Sequence, residues 1–297
     1  MIESESYESI LESYTSALDW MRNIGVSLGS GRTSNYQSIV SYWAESYGTA
    51  SIEEARSIFP SFVSSMLEIH DFVRVYKAFK DVPAAELGNI VAKLNKAVNG
   101  PINLEEETPA SATARNFLFE TLVAARLHSP DQGAFAALDA TSDTGVLFDG
   151  SKIWVECKRV TSEGQIEKNA RKASRQLEVV FKNKFGSGHK GIVALDVSKI
   201  LNPGDRIYVR ENDADLLQSV NRLMNDLIER YAPVWQKVYE RRDRKVIGTI
   251  VRFAFMSTSE ERHLLVHTAQ WGLNPRVGTS SQNEKLQEKL VSALDIN

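Results

Sequence analysis

The chain has 297 residues, of which 42% are hydrophobic, and its formal net charge is −3. This length is enough for one large domain or two ordinary ones, and the near-neutral charge predicts neither a nucleic acid partner nor a membrane surface. The single cysteine excludes an intramolecular disulfide framework, and the chain has no unbroken apolar run of the ~18 residues that a membrane span requires. No charged segment followed by an apolar stretch opens the chain, so we expect a reduced, cytoplasmic protein without a membrane partner.

The first third of the sequence is predicted to be wholly helical. Four segments carry apolar residues at helical spacing: "YESILESYTSALDWM", "NYQSIVSYWAESYG", "FPSFVSSMLEIHDFVRVYKAF" and "AAELGNIVAKLNKAV". The stretch from Ser51 to Glu54 fits a capping box at the start of the third segment. Residues 1–108 contain 15 acidic and 8 basic side chains, a net charge of −7. Such an acidic region is unsuited to binding nucleic acid, and we assign it to a protein partner, to homodimer contacts or to control of access to a site elsewhere.

A change in composition follows this region. The stretch "NGPINLEEETP", residues 99–109, combines Gly, two Pro and three consecutive Glu, as in a linker or an exposed loop. We therefore predict a helical domain over 1–108 and a second domain over 109–297.

The second domain is predicted to mix helices and strands. A helix over "ATARNFLFETLVAARL" comes first, followed by strands at "GAFAALDA", "TGVLF" and "KIWVECKRV". A helix from about Ser162 to Lys184 comes next, and Ser162 with Gln165 matches a capping pattern. The next predicted elements are the strand "KGIVALDV" and a long helix that ends in "WQKVYE". The last is a hairpin formed by "VIGTIVRFAFMS" and "RHLLVHTAQW". This order indicates an α/β or α+β fold with helices packed on a sheet.

Residues 143–159, "DTGVLFDGSKIWVECKR", are typical of a β-hairpin that turns at Asp149 and Gly150. Side chains alternate along a strand, so Glu156 and Lys158 share one face with Trp154, and Cys157 points to the other. A two-residue turn puts Asp143 opposite Glu156, whereas a register shifted by two residues would put it opposite Lys158. Two carboxylates facing each other about 5 Å apart repel, and this repulsion must be compensated.

Glu120 is the second unusual acid. Its helix carries apolar residues around nearly its whole circumference, which predicts a buried helix in which a carboxylate needs a partner. Taken alone, Glu120 could reach solvent or pair with Arg115 or Arg126.

Together these residues resemble the PD-(D/E)xK nuclease superfamily, which has the restriction-endonuclease-like fold. The resemblance rests on a helix with Glu120, a strand that begins at Asp143, and the next strand with Glu156, Cys157 and Lys158. It covers roughly residues 110–200. Ser142 precedes Asp143 where the motif has proline. The resemblance implies a mixed sheet flanked by helices, in addition to the N-terminal helical domain.

The chemistry of the hairpin fits this resemblance. Mg²⁺ or Mn²⁺ takes oxygen ligands, so Asp143 and Glu156 form a plausible metal site, and the resemblance adds the main-chain carbonyl of Cys157 as a further ligand. Lys158 could orient or deprotonate the attacking water or stabilise the developing oxyanion. Glu120 would be an outer carboxylate or a ligand of a second metal. The structural alternative is a surface hairpin in which Lys158 forms ion pairs with both acids.

A basic block lies next to the hairpin. Residues 150–190 contain 4 acidic and 10 basic side chains, a net charge of +6. We expect five residues to contact a phosphate backbone: Arg159, Lys168, Lys172, Arg175 and Gln176. A charged helix face can also be merely solvated. A second basic cluster, Arg241 to Lys245, could have no role beyond ending the long helix, where cations suit the helix dipole.

The sequence thus predicts a metal-dependent endonuclease that hydrolyses phosphodiester bonds, in DNA more than in RNA, as in bacterial restriction or phage defence. The alternative is a catalytically inactive module of the same fold that binds nucleic acid or a protein partner.

Overall fold

The computed structural model describes residues 5–108, 111–138, 142–183, 188–202, 206–261 and 265–295. The fold is mixed α+β, and these residues form nine α-helices and one mixed sheet of seven strands. The strand order is β1-β2-β3-β4-β6-β5, with β7 paired to β6. The strands are β1 (Phe135–Ala136), β2 (Thr144–Phe148), β3 (Ser151–Arg159), β4 (His189–Asp196), β5 (Tyr208–Arg210), β6 (Val246–Ser259) and β7 (Val266–Pro275).

The chain divides into two compact units. We call Met1–Leu122, Gly204–Leu216 and Ala254–Thr268 the helical unit, and Val123–Pro203, Leu217–Phe253 and Ala269–Asn297 the sheet unit. This division does not follow the predicted boundary after residue 108, because the helical unit continues to Leu122 and includes two later segments.

Four helices confirm the helical prediction for the first third of the chain: α1 (Tyr7–Asn23), α2 (Arg32–Ser46), α3 (Ile52–Phe79) and α4 (Gly88–Ala97). The predicted capping box is also present, since the Ser51 hydroxyl accepts from the amide of Glu54 and the Glu54 carboxylate accepts from the amide of Ser51. Aromatic side chains fill the core between α1, α2 and α3, with Tyr14, Tyr36 and Phe62 fully buried.

A buried charge cluster explains why the predicted linker does not separate two domains. Arg115 of α5 (Thr113–Arg126) donates from Nε to the Glu68 carboxylate at 2.6 Å and from Nη2 to the carbonyl of Ile102 at 3.1 Å. The Tyr36 hydroxyl lies within hydrogen-bond distance of the same two acceptors, 3.0 Å from the Glu68 carboxylate and 3.1 Å from the Ile102 carbonyl, and can donate its one proton to either. These bonds attach the Gly- and Pro-containing stretch to the helices on both sides of it. Composition alone does not reveal such contacts; Pro109 itself lies outside the described residues.

The sheet unit is built around the two central strands β3 and β4, which run parallel, with Glu156 aligned to Val193. β2 pairs antiparallel with β3, and β4 pairs parallel with β6. The predicted first strand, residues 133–140, is limited to Phe135–Ala136, and positions 139 and 140 of that prediction lie outside the described residues. Because the sheet combines antiparallel and parallel pairs of strands, it is mixed, as the sequence predicts.

Helix α6 (Ile166–Lys182) crosses over between β3 and β4 and packs on both strands. Its close approach depends on Gly191, where an added Cβ would lie 2.7 Å from Cζ of Phe181. The capping prediction for Ser162 was wrong. The Ser162 side chain makes no cap hydrogen bond, because residues 163–165 form a short 3-10 turn and Gln165 is the residue that precedes α6. Lys184, the predicted end of the helix, lies outside the described residues.

The rest of the chain contains α7 (Ser198–Leu201), α8 (Asp213–Glu240) and α9 (Ser281–Asp295). The predicted pairing of the last two strands is confirmed, with β7 on β6; the predicted start of the second strand, residues 262–264, lies outside the described residues. Helix α9 was not predicted. Over the residues that the structure describes, no helix is long and apolar enough to cross a membrane.

Candidate metal and nucleic acid site

The β-hairpin of β2 and β3 has the predicted turn and register. Asp149 and Gly150 have φ angles of 50° and 71°, and a type I′ turn requires positive φ at both central residues. Phe148 pairs with Ser151 and Thr144 with Val155, so the shifted register is excluded. Asp143, which directly precedes β2, therefore lies at the level of Glu156.

The Lys158 ammonium is surrounded by three oxygen atoms of the hairpin. Its Nζ lies 3.1 Å from Oδ2 of Asp143, 3.5 Å from Oε2 of Glu156 and 2.8 Å from the main-chain carbonyl of Cys157. Oδ2 of Asp143 also accepts from the amide of Cys157 at 2.8 Å, which fixes the carboxylate against β3. We call Asp143, Glu156, Lys158 and the backbone of Cys157 the hairpin cluster.

The hairpin cluster is largely shielded from water. The exposed fractions of the side chains are 3% for Glu156, 14% for Lys158 and 20% for Asp143. The ion pairs of the structural alternative are thus present, but they are not on an open surface. Burial, followed by the negative charge of Asp143, raises the pKa of Glu156 to about 8, although Lys158 opposes the shift. Two acids share one ammonium, so the cluster carries an excess of negative charge that favours a proton on Glu156 near neutral pH.

Lys158 remains charged in this environment. Burial by itself disfavours the ammonium form, but the charges of Asp143 and Glu156 outweigh burial and raise the pKa of Lys158 above its ordinary value. A lysine in this state is a donor of hydrogen bonds and positive charge. It is a poor proton acceptor.

Cys157 contributes only its backbone to the cluster. Its side chain is buried, as the alternation of strand side chains predicts. Ser142, which stands where the motif has proline, donates from its hydroxyl to the carbonyl of Thr144 at 2.5 Å. This bond closes the bend that presents Asp143 at the start of β2.

Glu120 is placed in a different environment from the one expected. It belongs to the helical unit, and its carboxylate lies 3.0 Å from Nζ of Lys93 on α4. Both side chains are 13% exposed. The sequence predicts that Glu120 needs a partner. It does not identify Lys93, because a contact between α4 and α5 leaves no signal in local spacing.

The basic face of α6 lines an open cleft of about 620 Å³. Four of the five residues expected to bind nucleic acid line this α6 cleft: Lys168, Lys172, Arg175 and Gln176. Arg171 also lines it and was missed as a site residue; its guanidinium binds Glu167 one turn earlier. The carbonyl oxygen Oε1 of Gln176 is buried without a hydrogen-bond partner among the described residues.

Arg159 lies apart from this set. It is the last residue of β3, aligned with Asp196 of β4, and strand alternation puts it on the face opposite Lys158. Asp196 binds Arg252 at 2.8 Å. Burial opposes the charged form of Asp196, but the charges of Arg252 and then Arg159 hold its pKa below the ordinary value. The position of Arg159 therefore indicates a structural ion cluster with Asp196 and Arg252.

The hairpin cluster offers two carboxylates and one carbonyl to a single cation. Within the described part of the chain no group of three or more His, Cys, Asp and Glu side chains could hold a metal ion, so a metal site here would depend on the Asp143 and Glu156 pair with backbone oxygen. Hard divalent cations accept such oxygen donors.

We compared the chain with family models, curated protein sequences and solved structures, and none of them matches it.

Proposed function

We propose that the protein is a metal-dependent nuclease that hydrolyses phosphodiester bonds, in DNA more than in RNA, with a restriction-endonuclease-like arrangement of its sheet unit. The observation that carries this proposal is the set of three oxygen atoms, from Asp143, Glu156 and the backbone of Cys157, around the single Lys158 ammonium. These oxygen atoms could bind a metal ion in the same way as they now bind the ammonium group.

The donor set suits Mg²⁺ or Mn²⁺. These ions are commonly held by one or two carboxylates together with water and substrate phosphate, and Asp143, Glu156 and the Cys157 carbonyl supply that set. A divalent ion bound there would lower the pKa of a water molecule and neutralise charge on the phosphate. The ion would also remove the repulsion between two acids that now share one ammonium.

Lys158 would act as a cation in this reaction. Because its neighbours raise its pKa, it would stabilise negative charge on a phosphate oxygen or orient a water molecule through hydrogen bonds. This argument favours orientation and oxyanion stabilisation over proton abstraction. Asp143 would hold the backbone of Cys157 so that its carbonyl stays directed at the cation.

The α6 cleft would hold the phosphate backbone. Lys168, Lys172 and Arg175 have no acidic neighbour in the cleft except Glu167, which Arg171 neutralises. Contacts of lysine and arginine with phosphate supply affinity without sequence information. The amide of Gln176 would add a polar contact inside the cleft.

The contribution of Glu120 as an outer carboxylate remains a prediction, as does a protein partner or homodimer contact through the helical region. In the proposed reaction we assign no step to Glu120, since Lys93 already binds its carboxylate.

The test is a cleavage assay on plasmid, linear duplex, single-stranded DNA and RNA, each with Mg²⁺, with Mn²⁺ and with chelator. We expect metal-dependent cleavage that falls by about 10²-fold or more in Lys158→Ala, because a lost transition-state donor costs that much. Lys152→Ala is the matched control: it lies on the same strand, six residues earlier, and we expect it to keep full activity. Cleavage that is unchanged by Lys158→Ala, or by chelator, would contradict the proposal.

A second candidate function is an inactive nuclease-fold module that binds nucleic acid or a protein partner. It is favoured by the same contacts, since the Lys158 ammonium already binds both acids and occupies the place between them. Nucleic acid binding that is tight, insensitive to divalent cations and never followed by cleavage would support this candidate.

A further inference from the structure

A second basic cleft lies at the opposite end of the sheet unit from the hairpin cluster. It has a volume of about 700 Å³, and we call it the α9 cleft; its lining is Lys190, Gln236, Glu240, Arg244, Lys245, Arg276, Val277, Gly278, Thr279, Ser280 and Asn283. Lys190 stands near the start of β4 and Lys245 directly precedes β6. Glu156 is aligned with Val193, three residues further along β4 than Lys190. The two sites are therefore separate.

The charge of the α9 cleft is strongly positive. Among the described residues that line it, the four cations Lys190, Arg244, Lys245 and Arg276 outnumber the carboxylate of Glu240, and the charge of Asp243 also acts on Arg276. The Arg276 guanidinium is held rigidly by backbone carbonyls, donating to Asp243 at 2.8 Å, to Val246 at 3.1 Å and to Arg242 at 3.3 Å. Burial and then the nearby charge of Arg244 lower the pKa of Arg276, as expected where cations crowd together. An anion would relieve this crowding.

The N-terminus of α9 opens into the same cleft. The Ser280 hydroxyl accepts from the amide of Asn283, and the first two amides of the helix have no intrahelical acceptor. The helix dipole adds positive potential at this end. Gly278, with φ of 73°, turns the chain just before the helix.

Asn283 supplies an independent indication of a ligand. Its side chain is only 6% exposed, and Nδ2 donates to the Thr279 hydroxyl at 3.0 Å. Its carbonyl oxygen Oδ1 is buried and has no partner among the residues that the structure describes. An unmet buried acceptor is unfavourable, so a hydrogen-bond donor on a ligand in the cleft would satisfy it.

We propose that the α9 cleft binds a nucleoside phosphate, with its phosphate against Arg244, Lys190 and the α9 N-terminus and a hydroxyl or amino group on Oδ1 of Asn283. Val277, which is 72% exposed at the rim, offers apolar surface to the sugar or base. The volume of the cleft is in the range of small-molecule sites. This inference is independent of the proposed nuclease activity.

The test is isothermal titration calorimetry of the full chain, in chelator, with AMP, ADP, inorganic phosphate, adenosine, and a short oligonucleotide with and without a 5′-phosphate. We expect the nucleotides to bind, adenosine not to bind, and inorganic phosphate to bind more weakly and to compete. Arg244→Ala should weaken nucleotide binding about tenfold, since a charged hydrogen bond to phosphate is lost. Asn283→Asp, which keeps the size but adds negative charge, should weaken it at least as much.

One control separates the α9 cleft from general basic surface. Arg241→Ala removes an exposed cation of the same loop that does not line the cleft, and it should bind nucleotide like the wild type. Thermal melts identify an Asn283→Asp protein that fails to fold, in which case Arg244→Ala decides the test alone. The proposal is overturned if nucleotides fail to bind at millimolar concentration. It is also overturned if adenosine binds equally well, if Arg241→Ala is as harmful as Arg244→Ala, or if only the 5′-phosphorylated oligonucleotide binds.

Discussion

Each unit contains a buried cluster of charged side chains, and the two clusters differ in the balance of positive and negative charge. In the helical unit, Arg115 and Arg32 both contact Glu68, with Glu107 near Arg115, so two guanidiniums meet two carboxylates. In the hairpin cluster, one ammonium meets two carboxylates. The first cluster is balanced by the protein itself. The second has an excess negative charge unless Glu156 holds a proton, although Glu156 is as deeply buried as the side chains of the first.

This difference distinguishes a charge cluster that stabilises the fold from one that is suited to bind a proton or a cation. A cluster whose charges balance fixes the packing of helices, and removal of one member leaves unpaired charge in the core. An unbalanced cluster costs stability in the free protein and recovers it when a proton or a cation binds. We therefore expect substitutions in the helical unit to affect folding, and substitutions in the hairpin cluster to affect activity and cation binding.

The largest expected effect is on the folding of the helical unit. Arg115→Met removes one of the two guanidiniums that contact Glu68 and leaves that buried carboxylate with Arg32 and the Tyr36 hydroxyl. Such a loss destabilises by about 3–5 kcal/mol. Urea denaturation followed by circular dichroism measures it. Arg22→Met is the control, because Arg22 pairs with Asp19 on the surface of α1 and should change stability by less than about 1 kcal/mol. Equal effects of the two substitutions would remove the distinction between a buried cluster and a surface pair.

Substitution of an acid in the hairpin cluster should have the opposite effect on the free energy of unfolding. Glu156→Gln removes one of the two competing charges, so we expect it to preserve or raise the stability of the metal-free protein. The same change removes a proposed metal ligand, and cleavage should fall by about 10²-fold or more. The two measurements are urea denaturation in chelator and plasmid cleavage in Mg²⁺. A strongly destabilised Glu156→Gln protein would show that the hairpin cluster is structural like the cluster around Glu68.

The pH dependence of stability sharpens this test. The pKa of Glu156 is raised from its ordinary value to about 8, so between these values the folded chain holds a proton that the unfolded chain has lost. The contribution of Glu156 to stability should therefore be fully present below its ordinary pKa and be lost as pH rises, by up to about 1.4 kcal/mol per pH unit, until pH passes 8. His70, whose burial lowers its pKa to about 4, does not interfere above pH 7.

The measurement is urea denaturation at pH 7.0, 7.5, 8.0 and 8.5 in chelator. Glu156→Gln should abolish the slope, and saturating Mg²⁺ should reduce it in the wild type, because the ion takes the place of the proton. A wild-type slope that matches the Glu156→Gln slope would contradict the shifted pKa.

Local sequence signals predicted the hairpin well. Asp149 and Gly150 specify the turn, the turn specifies the register, and the register determines which side chains share a face with Lys158. Each step depends on residues close in sequence, so the composition of the hairpin cluster followed from its 17 residues. The helices of the first third were predicted for the same reason, since their apolar spacing is local.

Contacts between distant segments could not be predicted. Glu120 binds Lys93 and Arg115 binds Glu68, and neither pairing leaves a trace in the periodicity of the helices. The predicted boundary after residue 108 failed to match the compact units for this reason, because buried hydrogen bonds to Ile102 override a composition typical of linkers. The α9 cleft was also missed, since it collects side chains from β4, α8 and α9 with the loops beside them.

The smallest expected effect concerns the α6 cleft. Lys172→Ala and Arg175→Ala should each weaken nucleic acid binding only a few-fold, because each removes one phosphate contact among several. The informative quantity is the dependence of affinity on salt: each substitution should reduce the slope of log K against log salt concentration by about 1, equally for unrelated sequences. Fluorescence anisotropy with a labelled duplex between 50 and 200 mM salt measures it. Val179→Ala, which changes an uncharged residue of the same cleft, should leave the slope unaltered.

If Arg175→Ala changed affinity for one sequence more than for another, the cleft would contact base edges, and the charged face of α6 would determine specificity as well as affinity.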